Sequence, residues 1–191
     1  MSQSQRARHM DVTNTVDLTD SVAVNRAVRS ILDRLYPTFD FSSVDQLVQD
    51  FDRLYLGKYP GYRACDVSYH NAQHVLDVTL AMARLIDGYE RDKGHANQLG
   101  PELILAGIAC ALFHDAGYIR RRGDNRNSNG AAYTHSHVSR SVKFMSEHLP
   151  TIGLQSLLPL CKRVVHFTGY EMEIDKIKVQ SSEEYMLGSL L

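Results

Sequence analysis

The chain has 191 residues, 43% of them hydrophobic and 23% charged, and its formal net charge is −1. This length and composition are typical of a single globular domain, and the small net charge excludes a general electrostatic attraction to nucleic acids or anionic membranes. The polar N-terminus lacks the apolar segment of a signal peptide, and the apolar run at 103–113 is too short to span a bilayer.

Three widely spaced cysteines indicate the redox compartment. Cys65, Cys110 and Cys161 include no CxxC pair, and an odd number of cysteines argues against a disulfide framework. We therefore expect reduced thiols, a cytoplasmic location and no zinc–thiolate site.

Helical periodicity dominates the chain, so we expect an all-α single-domain helical bundle. Residues 1–17 are polar and are predicted to form a disordered leader, whereas residues 18–191 are predicted to form the domain, with its core at 69–170. The predicted helices lie at about 20–35, 43–54, 70–92, 102–116, 134–148 and 154–167, where Pro159 is either tolerated or splits the last one. A further capped helix starts at Ser182 and stops without a C-cap signal, so we expect it to continue beyond Leu191.

The fourth predicted helix ends in unusual chemistry. Residues 103–113 are hydrophobic on every side, which is typical of a buried helix, yet His114 and Asp115 follow directly. Burying an ionised carboxylate is costly unless a cation or hydrogen-bond donors meet it. The pair alone is also compatible with an exposed turn that starts at Asp115, but the other histidines favour a metal ion.

Those histidines occur at spacings that suit metal binding. His70 and His74 lie one turn apart on one face of the third helix, with Asp77 at i+7 on the same face. Three more are predicted on later helices: His135, His137 and His166. Each alone is compatible with a cap, a packed core histidine or a solvated side chain, whereas together they supply the nitrogen and oxygen ligands that Zn, Mn, Fe or Co accept. We assign no role to the remaining histidines, His9, His95 and His148.

Two motifs carry a family resemblance. The segment Tyr69-His-Asn-Ala-Gln-His-Val-Leu-Asp-Val78 closely resembles the YHNxxHxxDV signature of the cyclic-nucleotide phosphodiesterase catalytic domain. The segment Phe113-His-Asp-Ala-Gly117 resembles the motif that names the HD-domain metal-dependent phosphohydrolase superfamily. The resemblance covers residues 69–170 and implies a helical bundle of the HD-domain type.

The resemblance also implies a set of metal ligands. His74, His114 and Asp115 match the ligands of a first metal, with Asp115 in the position that bridges two ions. His137 and His166 resemble the later histidines that complete a second metal, and His135 is the nearest rival of His137.

Three further residues match the phosphodiesterase motif. His70 resembles the histidine that protonates the leaving oxygen, and Asn71 matches the motif asparagine, which we assign to substrate binding. Asp77 matches the carboxylate one turn beyond the ligand His74, and we expect it to orient that imidazole.

The chain departs from the family pattern at two places. Tyr118 stands where phosphodiesterases carry the second histidine of an HD-x-x-H-x-G run. The superfamily closes its first metal shell with a distal aspartate, and no convincing candidate follows His166, because Asp175 lies in a charged segment. We expect that ligand beyond Leu191.

The predicted function is metal-dependent hydrolysis of a phosphoester, preferably of a nucleotide, by a water that one or two divalent ions activate. The metal is Mn, Fe, Mg, Zn, Co or Ni. Four arginines after the His–Asp pair are either ligands of substrate phosphates or part of a solvated loop: Arg120, Arg121, Arg122 and Arg126. The expected partner is a small molecule, with no nucleic acid and no membrane.

Two other functions compete with hydrolysis. A metal- or nucleotide-binding sensor module that has lost catalysis would explain the missing distal aspartate. Nucleic-acid binding through the arginine-rich loop is disfavoured by the net charge of −1.

Overall fold

The structure, a computed structural model, describes residues 7–93 and 98–191. Over these residues it is helical and contains no strand, which confirms the predicted all-α fold. The α-helices of the described residues are α1 Ser21–Leu35, α2 Ser43–Tyr55, α3 Ala72–Lys93, α4 Pro101–Phe113, α5 His137–His148, α6 Leu158–Val164 and α7 Ser182–Leu190. None of them is both long enough and apolar enough to cross a membrane. His95 lies outside the described residues.

Helix α4 is the centre of the core. Helices α2, α3, α5, α6 and α7 all pack against it, and every residue from Ile104 to Phe113 is buried. A helix that is apolar on all sides gains most by being surrounded, because each large buried side chain contributes about 1.5–3 kcal/mol. The buried helix ends at Phe113, so the next two residues, His114 and Asp115, are buried as well.

The start of α3 is fixed by a side-chain cap. The Asn71 Oδ1 accepts a hydrogen bond from the backbone N–H of His74 at 3.0 Å, and the Asn71 Nδ2 donates to the Ser68 carbonyl at 2.9 Å. Asparagine is favoured at this position because its side chain satisfies an otherwise unpaired N–H. The cap therefore sets the first turn of α3, which carries His74.

Residues 7–17 differ from the predicted disordered leader. The buried Asp11 accepts hydrogen bonds from the backbone N–H groups of Thr15 and Val16 at 2.7 and 2.8 Å, and it pairs with Arg84 of α3 at 2.6 Å. A buried carboxylate with several donors anchors a polar segment that has few apolar residues of its own. Residues 1–6 of the predicted leader lie outside the described residues.

The later helices start and end differently from their predicted bounds. Helix α5 begins at His137 rather than near residue 134, and a 3₁₀ turn, Gly130–Tyr133, precedes it. The predicted sixth helix is split, because Pro159 lies in the first turn of α6, where its missing N–H costs nothing. Two 3₁₀ turns, Gln155–Leu157 and Val165–Thr168, flank α6.

His148, at the end of α5, is a buried imidazole away from the His–Asp motif. It is 2% exposed, its Nδ1 lies 2.8 Å from the Tyr59 hydroxyl, and its Nε2 lies 3.7 Å from the Asp50 carboxylate. Burial lowers the pKa of His148, and the charge of Asp50 offsets this only in part.

This burial predicts an acid-dependent loss of stability. Above pH ~6.5 the imidazole is neutral in both the folded and the unfolded chain; below it the unfolded chain binds the proton more readily, so the free energy of unfolding falls as the pH falls. In the variant His148→Gln, the free energy of unfolding should depend less steeply on pH between pH 7 and 5. The slope should decrease by up to the amount that corresponds to the uptake of about one proton on unfolding. Urea unfolding at several pH values measures this slope.

The matched control His135→Gln removes an exposed imidazole and should leave the pH dependence of the free energy of unfolding unchanged. Equal slopes in both variants would contradict the assignment to His148.

Candidate metal centre

Four imidazoles surround the carboxylate of Asp115, which is 1% exposed. The Asp115 Oδ2 lies 2.7 Å from the His70 Nδ1, 3.1 Å from the His114 Nε2 and 3.4 Å from the His74 Nε2. The Asp115 Oδ1 lies 3.9 Å from the His137 Nε2. Ligand atoms of His70, His74 and Asp115 all lie within 4.8 Å of one another. The fold thus brings together side chains from the start of α3, the end of α4 and the start of α5.

The orientation of two imidazoles is fixed by backbone carbonyls. The Nδ1 of His114 lies 2.9 Å from the Ala111 carbonyl, and the Nδ1 of His137 lies 2.8 Å from the Thr134 carbonyl. A carbonyl only accepts hydrogen bonds, so each Nδ1 carries the hydrogen and, in the neutral ring, the Nε2 lone pair faces Asp115. Metal-ligating histidines commonly have this arrangement.

The contact between the His114 Nε2 and the Asp115 carboxylate is compatible with a bound cation. A neutral His114 would direct its Nε2 lone pair at a carboxylate oxygen 3.1 Å away, which is repulsive in a buried site. Either a proton on Nε2 or a cation between the two atoms removes this repulsion. A divalent ion replaces such a proton when it binds, and the donor set of imidazole nitrogen and carboxylate oxygen suits it.

The electrostatics favour an ionised Asp115 and a neutral His74, two of the protonation states that a metal requires. Burial raises the pKa of Asp115, but the hydrogen bond and charge of His114, together with His70, more than offset it and hold the carboxyl below its usual range. Burial lowers the pKa of His74, with Asp115 acting in the opposite direction. An ionised carboxylate beside neutral imidazole is the form that binds a divalent ion.

Tyr118 holds two of the imidazoles in place. Its ring stacks on His70 with a centroid distance of 4.3 Å and on His137 with a distance of 4.6 Å, at interplanar angles of 16° and 20°. The tyrosine that replaces the second histidine of the phosphodiesterase pattern therefore lies between two rings of the cluster. Stacked rings restrict one another's orientation, which preorganises the site.

Ser141 of α5 forms hydrogen bonds to the turn that follows α4. This residue was not among the site residues predicted from the sequence. The buried hydroxyl of Ser141 donates to the His114 carbonyl at 2.5 Å and accepts from the Gly117 N–H at 2.8 Å. A serine in an amphipathic helix carries no signal for this role, because its partners lie more than twenty residues away in sequence.

Removing the Ser141 hydroxyl should lower both the stability of the protein and its affinity for a metal ion. In Ser141→Ala the Gly117 N–H is buried without a partner, which costs about 1–3 kcal/mol of stability, and we expect metal affinity to fall about 10- to 100-fold, as for other residues that support metal ligands. Urea unfolding and metal titration measure the two effects. The matched control is Ser146→Ala, on the same helix, whose hydroxyl donates a hydrogen bond to the Val142 carbonyl of its own preceding turn. Equal losses in both variants would argue against a specific role for Ser141.

The structure distinguishes between the two histidines near the start of α5. His137 is buried and faces Asp115, whereas His135 is exposed. His166 lies in the 3₁₀ turn Val165–Thr168 and is half-buried, and its Nδ1 is a buried atom that has no hydrogen-bond partner among the described residues. The next residue, Gly169, packs against the start of α5, because a Cβ there would lie 2.5 Å from the Val138 Cγ2 and 3.3 Å from the His137 Cε1. His166 itself makes none of the contacts to Asp115 that the other four imidazoles make.

Two residues of the phosphodiesterase-like motif lie outside the imidazole cluster: Asn71 has a structural role, and Asp77 lies at the surface. Asn71 caps α3, as described above, with both ends of its amide engaged. Asp77 is exposed and makes no hydrogen bond to His74; its influence on that ring is a charge interaction that raises the His74 pKa.

The predicted phosphate-binding arginines do not converge on the imidazoles. The Arg120 guanidinium contacts the Asp66 carboxylate at 2.6 and 3.0 Å and donates to the Asn127 carbonyl at 2.6 Å. Arg122 donates to the carbonyls of Tyr62 and Gly57. These two side chains tie the 117–133 loop to the segment before α3, so their predicted contact with substrate has no support in the geometry.

The other two arginines lie on the outer face of the loop. Arg121 pairs with Glu147 and covers the Tyr62 ring at 4.6 Å, and Arg126 is exposed, 3.7 Å from Asp124. Both line a cleft that contains none of the candidate metal ligands.

Carboxylates after His166 occupy other positions in the described structure. Asp175 is exposed in a 3₁₀ turn, Ile174–Lys176. Glu171 accepts hydrogen bonds from the backbone N–H groups of Val138 and Ser139, at 2.6 and 3.0 Å, and so caps the helix that begins with His137. No local sequence pattern indicates this role, since Glu171 and its partners are more than thirty residues apart in the chain.

Comparison of the chain with protein-family models, curated proteins and solved structures finds no match.

Proposed function

We propose that this protein is a metal-dependent phosphohydrolase that cleaves a phosphoester, with nucleotides as the preferred substrate class. The observation that carries the proposal is the buried Asp115 carboxylate, which two imidazole Nε2 atoms approach within 3.4 Å. The preference for nucleotides rests only on the resemblance of residues 69–78 to the phosphodiesterase signature.

The residues that would hold a first ion are His74, His114 and Asp115. His137 faces the other oxygen of Asp115 and would provide a ligand for a second ion. The support for His166 as a further ligand is the resemblance and a buried Nδ1 that has no hydrogen-bond partner among the described residues. When bound, such an ion lowers the pKa of a water molecule and polarises a phosphoryl group. Asp115 has both oxygens directed at different imidazoles, which suits a carboxylate shared between two ions.

His70 is the candidate proton donor to the leaving oxygen. Its side chain is about one-third exposed, so a substrate can reach it, whereas His114 and His137 are buried. Its Nδ1 contacts Asp115 at 2.7 Å and Tyr118 stacks on its ring, so the imidazole is held in one orientation. These contacts leave Nε2 to exchange a proton with substrate, the role of a general acid.

Elemental mass spectrometry of the purified chain tests the metal centre. We expect a near-stoichiometric divalent metal in the wild type, its loss in His114→Ala and its retention in His135→Ala, which removes an exposed imidazole outside the cluster. A phosphoester panel in the bound metal then tests hydrolysis. Absence of metal after supplementation with Mn, Fe or Zn would overturn the centre.

A sensor module without catalysis is the second candidate. It is favoured by the absence, among the described residues, of a carboxylate after His166 that contacts the cluster. Stoichiometric metal and tight nucleotide binding without turnover of any phosphoester would select it over hydrolysis.

A further inference from the structure

A cleft of about 640 Å³ lies beside the metal centre. We call it the basic cleft, because four cationic side chains line it: Arg121, Arg126, Arg140 and Lys143. The backbone of Ala116 and Gly117, directly after Asp115, forms part of its wall, but no candidate metal ligand lines it. Its volume lies in the range of about 300–1,000 Å³ that is usual for small-molecule sites.

The positive charge of the basic cleft is only partly neutralised. Arg121 pairs with Glu147, and Arg126 lies at the long distance of 3.7 Å from Asp124, the one carboxylate among the lining residues. Asp124 also accepts a hydrogen bond from the hydroxyl of Tyr133. Lys143 is exposed and makes no ion pair within the described part of the chain. Cations therefore outnumber anions around this cleft.

Arg140 is the half-buried cation of the cleft, and its hydrogen bonds go to backbone carbonyls rather than to a carboxylate. Its Nε donates to the Gly117 carbonyl at 2.5 Å and its Nη2 donates to the Ile119 carbonyl at 3.1 Å, while its guanidinium carbon lies 3.6 Å from the centroid of the Tyr133 ring. Burial lowers the pKa of Arg140, and the charges of Asp124 and Tyr62 offset this only in part. A half-buried guanidinium with other cations nearby is stabilised by an anion.

We propose that the basic cleft binds a phosphate-bearing small molecule at a site separate from the metal centre. Guanidinium groups donate paired hydrogen bonds to phosphate oxygens, and an ammonium group adds a mobile point charge. A ligand with two linked phosphate groups matches the surplus charge better than one with a single group. The inference does not depend on phosphohydrolase activity, because it uses none of the metal ligands.

Calorimetric titration of the full chain with inorganic phosphate and with methylenediphosphonate, whose P–C–P bridge resists hydrolysis, tests this site. We expect the diphosphonate to bind more tightly than phosphate. The double variant Arg126→Ala/Lys143→Ala should bind it about 10- to 100-fold more weakly, the loss expected for one or two charge-assisted contacts. The matched control Arg26→Ala/Lys162→Ala removes two exposed cations elsewhere and should bind as the wild type does.

The metal-free variant Asp115→Asn separates this inference from the proposed function. Diphosphonate binding that persists in Asp115→Asn and is lost in the cleft variant supports the basic cleft. Binding lost in Asp115→Asn but unchanged in the cleft variant would place the ligand at the metal centre and overturn the inference. No binding by the wild type at millimolar ligand, or equal weakening in the control variant, would overturn it as well. Unchanged metal content in the cleft variant shows that its fold is intact.

Discussion

Replacing Asp115 with asparagine is expected to abolish metal uptake and phosphoester hydrolysis together. Asp115 is the residue that all four imidazoles approach, and asparagine keeps its shape but removes its charge. Removing one charged member of a buried set costs about 3–5 kcal/mol, which would correspond to metal binding weaker by roughly 10² to 4 × 10³. Metal content by elemental mass spectrometry and turnover of a phosphodiester in the native metal measure the two losses.

The control for this variant is Asp87→Asn. Asp87 is also buried, but it lies on α3 and pairs with Arg34 and Arg91 rather than with imidazoles. We expect it to lower stability while keeping metal and activity. Turnover by Asp115→Asn at the wild-type rate would contradict the proposed chemistry, whereas loss of metal in both variants would indicate a general effect of unfolding.

Replacing Gly117 with alanine is expected to be the most disruptive single-methyl change near the site. A Cβ at this position would collide with the His137 carbonyl oxygen and lie 2.6 Å from its carbonyl carbon. Because the obstruction is backbone, it is relieved only if the start of α5 moves away from the His–Asp turn. Overpacking typically costs about 1–3 kcal/mol and more where backbone must shift, so we expect a loss of about 3 kcal/mol. His137 would move with α5, so metal binding should weaken too.

The variant Gly123→Ala lies in the same loop and provides the comparison. A Cβ at Gly123 meets no atom within 4 Å, so we expect a change within about 0.5 kcal/mol and unaltered metal content. Denaturant unfolding of both variants, with metal analysis of each, measures the difference. Native stability and native metal content in Gly117→Ala would show that the close packing of the turn on α5 is not required.

The central helix α4 shows which features of the fold can be predicted from the sequence. Residues 103–113 are apolar on every face, and a helix of this kind has no stable position except inside the core. The burial of α4 confirms that interpretation, and the burial of His114 and Asp115 follows because they continue the same chain segment. Burial of an acidic group, in turn, was the physical reason for expecting a cation.

The arginine-rich loop shows what the sequence left undecided. Four arginines close after a His–Asp pair suggested a phosphate-binding group, but Arg120 and Arg122 are used to hold the loop in place. Their partners, Asp66 and the carbonyls of Tyr62 and Gly57, lie more than fifty residues earlier in the chain. The charge of a side chain is visible in a sequence, whereas the partner that neutralises it is not.

The sequence by itself determined the helical class, the central helix and three of the four histidines around Asp115, which are His70, His74 and His114. These depend on local periodicity and on short motifs, which act over one or two helical turns. Only the tertiary structure decided that His137 rather than His135 faces the carboxylate, that Ser141 and Glu171 hold the elements in place, and that a separate basic cleft lies beside the centre. These features depend on packing between α4, α5 and the 117–133 loop, because side chains distant in sequence are brought within hydrogen-bonding distance only when the core assembles.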